Sequence, residues 1–203
     1  TQVVLLIKLN RSQSVLPTSK ERKNNFPIQQ CLDICIENKI TDACVFILLT
    51  TQENRRALNI QIDELITVCN GAKKNLIQGT FNLNDHEIYK EDIKKNIDQC
   101  IVICENYEDN NNENEIEGLW FTLLTQLYKI MNEIKGERTE KNQNYVEDIT
   151  KLLSVQIEVI LKQMCCYISI NKIIEQITYN FKDVQFKEFK ELLVKILSSL
   201  SHM

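Results

Sequence analysis

Glycine and proline are scarce in this chain, four and two among 203 residues. The glycines, Gly71, Gly79, Gly118 and Gly136, are too scattered to cradle a phosphate, and none of G-x-x-x-x-G-K-[ST], G-x-G-x-x-G or G-x-S-x-G occurs. Both prolines, Pro17 and Pro27, fall in one stretch, so helical patterns elsewhere run without a breaker. Histidine is equally rare. His86, between Asp85 and Glu87, reads as a surface or N-terminal-turn residue, and His202 stands next to the last position, which leaves few partners for a Cys-His catalytic pair. No apolar run reaches the ~18 residues of a membrane span. No strand-like alternation competes with the helical periods, and no secretory signal is evident. A net charge of -4 lacks the concentrated basic face that phosphate neutralisation needs, so nucleic acid is not an expected partner. The short run Lys20, Arg22, Lys23 and the acids Glu108, Asp109, Glu115 and Glu117 read as solvated charge.

Cysteine, by contrast, is abundant at eight residues. An oxidised framework belongs to small secreted domains, and a chain with this much apolar sequence folds without staples, so reduced core thiols are expected. Cys31 with Cys35, and Cys100 with Cys104, are spaced to share a helix face, which suits the packing of small apolar side chains. Structural zinc calls for Cys-x-x-Cys pairs with further ligands, and no such pair is present. Cys165 and Cys166 are adjacent and diverge on a helix. No residue is expected to be catalytic, cofactor-binding or metal-ligating, and no cofactor is implied.

The dominant pattern is helical. Cys31 to Leu65 holds apolar residues at Cys31, Leu32, Cys35 and Ile36, then Ala43, Phe46, Ile47 and Leu49, then Ala57, Leu58, Ile62, Leu65 and Ile66, each at a helical period. Thr41 and Asp42 are placed to cap the second of these helices, and Ala43 and Ala57 lack bulk where helices would approach. Helices are expected near 28–38, 42–51 and 54–69, with a Gly-containing loop at 70–84. Further helices are expected at 85–105 (Ile93, Ile97, Cys100, Ile101, Cys104), 115–135 (Leu119, Trp120, Leu123, Leu124, Leu127, Met131) and 145–168, the longest, with Ile149, Leu152, Leu153, Ile157, Ile160, Leu161 and Met164. Polar linkers fall near 11–27, 70–84, 106–114 and 136–144, the third (NYEDNNNEN) low-complexity and acidic. Segments 172–179 and 186–201 close the chain. The apolar start VVLLIKL reads as cut from a longer array. Trp120 is expected between helices, with Phe121 turned toward the stripe edge. The fold class is all-α, an α-solenoid of stacked helical hairpins forming a single segment over 1–203.

Cys35, Ile40, Asp42, Ala43, Leu48, Leu49, Ala57 and Leu58 resemble the clathrin-heavy-chain-type repeat of endosomal tethering proteins, C-x-x-x-x-I-x-D-A-x-x-x-L-L followed by A-L, with one extra residue before the leucine pair. Ile97 to Cys104 (IDQCIVIC) and Glu117 to Leu124 (EGLWFTLL) are similar to the ALCQRN…EALWFPLL stretch of the subunit-eight family of the CORVET vacuolar protein sorting complex. Thr122 stands where that pattern has proline. Thr1 to Val3, Val155 to Ile174 and Phe189 to Leu197 resemble the same family's late solenoid in the same order. The resemblance implies a fragment without the family's propeller or RING-type domain. It implies a scaffold in vesicle-mediated transport, cytoplasmic and peripheral on early endosomal membranes. Its partners would be other tethering-complex subunits, with any Rab GTPase contact made by parts of the full-length protein outside this segment. A HOPS-type or clathrin-like coat solenoid is the alternative from the same superfamily, and a helical cysteine enzyme the alternative from another class.

Overall fold

The computed structural model describes residues 28–78, 83–107 and 113–180, and among these helices joined by short turns are the only regular secondary structure. Seven helices follow in order: α1 (Ile28–Glu37), α2 (Thr41–Thr50), α3 (Asn54–Gln78), α4 (Leu83–Glu105), α5 (Glu113–Gly136), α6 (Gln143–Tyr167) and α7 (Ile170–Asn180). The expected segments 1–10, 11–27 and 186–201 lie outside the described residues. The chain clusters into two compact units divided between Glu64 and Leu65, within α3.

In the first unit α1 packs on α2. Its interior is Cys31, Leu32 and Cys35 from α1, Ala43, Cys44 and Leu48 from α2, and Ala57, Leu58 and Ile62 from α3. Ile36, expected on the buried stripe, is exposed instead, because the face that α1 turns inward is centred on the Cys31–Cys35 side. Two helix ends without glycine explain the sharp turns. At the end of α1, Lys39 takes φ 53°, its N–H donates to the Ile36 carbonyl at 3.0 Å, and the Ile40 N–H donates to the Cys35 carbonyl at 2.9 Å. The end of α2 repeats this pattern: Gln52 has φ 63°, its N–H reaches the Leu49 carbonyl at 3.2 Å, and the Glu53 N–H reaches that of Leu48 at 2.9 Å. Both are Schellman closures, which satisfy carbonyls that a helix end would otherwise leave open.

The expected cap of α2 is corrected. Ile40 occupies the N-cap position and no side chain caps the helix. The Thr41 hydroxyl donates instead to Glu64 Oε2 at 3.0 Å, while Asp42 sits in the first turn, where a carboxylate complements the helix dipole.

In the second unit α5 packs along α6 most extensively, and α4 packs on both. Every residue expected on the stripes of α4 and α5 is buried, as are Ile149, Leu153, Ile157, Ile160, Leu161 and Met164 of α6. The expected loop at 70–84 is also corrected: α3 runs on to Gln78, because Leu65, Cys69, Ala72 and Leu76 continue one buried face. With 25 residues, α3 equals α6 in length. Gly71 therefore lies inside a helix, where the Tyr89 ring of α4 rests over it; a Cβ there would meet Tyr89 Oη at 3.3 Å. Asn75, one turn on, donates to the same hydroxyl at 3.1 Å.

The connection from α5 to α6 is organised by Asn142, a buried residue. Its Oδ1 accepts from the Thr139 N–H at 2.7 Å, and its Nδ2 donates to the Glu137 carbonyl at 2.9 Å and to the Leu76 carbonyl at 3.5 Å. Leu76 is in the last turn of α3, so this amide reaches a carbonyl that α3 cannot satisfy.

Candidate functional site

Chemistry-bearing side chains gather at three places. The first is a cleft between α3 and α5 in the second unit, a cavity of about 60 Å³ whose polar lining is Cys69, Asn70, Lys73, Gln126, Lys129 and Glu133. The helical periods set this lining, since Cys69 and Lys73 are one turn apart on α3, and Gln126, Lys129 and Glu133 follow one another at three- and four-residue steps on α5. Lys73 is already engaged with Glu137 at 3.0 Å. Burial, aided by the Glu133 charge, pushes the Cys69 thiol from 9.0 to about 12. At neutral pH it is protonated and a poor nucleophile. The space suits a few waters, far below the 300–1,000 Å³ typical of ligand pockets.

The second place is His86. It lies in the first turn of α4, as expected, but it is buried at 2 % exposure, where the sequence suggested a surface residue. The α6 helix covers it: His86 Nε2 stands 3.3 Å from Asp148 Oδ2, and the ring meets Tyr145 edge-on, with centroids 4.9 Å apart. Flanking acids gave no hint of this, because the covering residues come from a helix some sixty positions away. The pair ties α4 to α6 and presents no imidazole face to solvent.

The third is the set of cysteines. Cys31, Cys35, Cys44, Cys69, Cys100 and Cys104 are buried, Cys165 is half-buried and Cys166 exposed, all as free thiols. Burial raises Cys44 to about 11 and Cys100 to about 12, and moves Cys31, Cys35, Cys104 and Cys165 in the same direction. A thiolate nucleophile needs the opposite environment. Among the described residues no group of three or more His, Cys, Asp or Glu side chains is placed to hold a metal ion.

Trp120 is 0 % exposed and stacks on Tyr167 with centroids 5.7 Å apart, while Phe121 is half-buried at the stripe edge. The resemblance motif Leu119 to Leu124 thus faces the α5–α6 interior through Leu119, Trp120, Leu123 and Leu124. At Thr122, where the family pattern has proline, α5 is unbroken and the hydroxyl bonds back to the Gly118 carbonyl. No described helix is long and apolar enough to cross a membrane. Compared with protein-family models, with curated proteins and with solved structures, the chain finds no match in any of the three.

Proposed function

We propose that this chain is a non-enzymatic scaffold segment, an α-solenoid piece of an endosomal tethering subunit of the CORVET subunit-eight type. The observation that carries the scaffold reading is where the chemistry resides: Cys69, Cys100, Cys104, His86 and Trp120 are buried between helices. Consecutive helices pack on each other at α1 with α2, α4 with α5 and α5 with α6, as stacked hairpins require. Its assignment to endosomal tethering rests on the sequence resemblance, above all the Cys-rich helix followed by Leu119-Trp120-Phe121. Such a segment works by spacing and by side-on contact with other subunits.

The test is affinity capture with the purified 203-residue chain from cell extract, followed by identification of retained proteins. Retention of tethering-complex subunits supports the reading. Their absence, with the chain shown folded by circular dichroism, removes the endosomal assignment.

A further inference from the structure

We draw no further inference here: the strongest candidate, the solvent-facing stripe of α6 that presents Val155, Val159 and the exposed thiol of Cys166 at helical spacing, carries nothing, because nothing in the structure shows what covers it.

Discussion

Trp120 and Asn142 show two ways in which one residue holds helices together. Trp120 contributes a fully buried ring, and its replacement by Ala should cost ~3–5 kcal/mol in chemical denaturation. Its Nε1 is buried without a hydrogen-bond partner, so Trp120→Phe removes an unsatisfied donor along with part of the ring and should cost only ~1–2 kcal/mol. A Trp120→Ala chain with unchanged stability would place the ring outside the core. Asn142 contributes polar bonds: its amide serves Thr139, Glu137 and Leu76 at once. Asn142→Ala strands three backbone groups at the end of α3 and in the α5–α6 connection, and a loss of about 2–3 kcal/mol in the same measurement is expected.

At the scale of elements, two features bear on how the helices begin and end. Lys39 and Gln52 hold left-handed conformations that glycine adopts without steric cost. Lys39→Gly should therefore leave the turn intact and raise stability by about 0.5–1 kcal/mol, read from the denaturation midpoint. Thr122 has the opposite significance. Its place in mid-α5 requires a backbone N–H and room for the Gly118 carbonyl, and proline provides neither. Thr122→Pro should lower the helical circular dichroism signal and cost ~3 kcal/mol or more. With Thr122 in place α5 is continuous, and Leu119, Trp120, Leu123 and Leu124 around it are buried.

The whole molecule carries its buried thiols as a pH dependence. Below about pH 9 the thiols of both folded and unfolded chains are protonated and the full stability is present. Between there and about pH 12 the unfolded chain releases protons that Cys69 and Cys100 retain when folded, so stability falls with rising pH. Each thiol approaches a slope of ~1.4 kcal/mol per pH unit over that window. Urea melts at about pH 8 and about pH 10.5 should show the drop, and Cys100→Ala should reduce its slope. Equal stability at the two values would mean that these sulfurs reach solvent in the folded state.

Much of the helical architecture was legible because it is a matter of periodicity. Ile93, Ile97, Cys100, Ile101 and Cys104 recur at three- and four-residue steps, which only a helix can place on one face, and all five are buried. Six of the eight cysteines are buried too, as their apolar surroundings suggest. What the sequence did not disclose depends on partners brought in from elsewhere in the chain. Gly71 looks like a loop residue until Tyr89 is found lying over it. His86 looks exposed among acids until Tyr145 and Asp148 of α6 close over it. Thr41 looks like a cap until its hydroxyl is found on Glu64. Local spacing determines which residues face the interior, because helix geometry repeats every 3.6 residues. Which side chains meet there is decided by contacts between distant segments, and no local period encodes those.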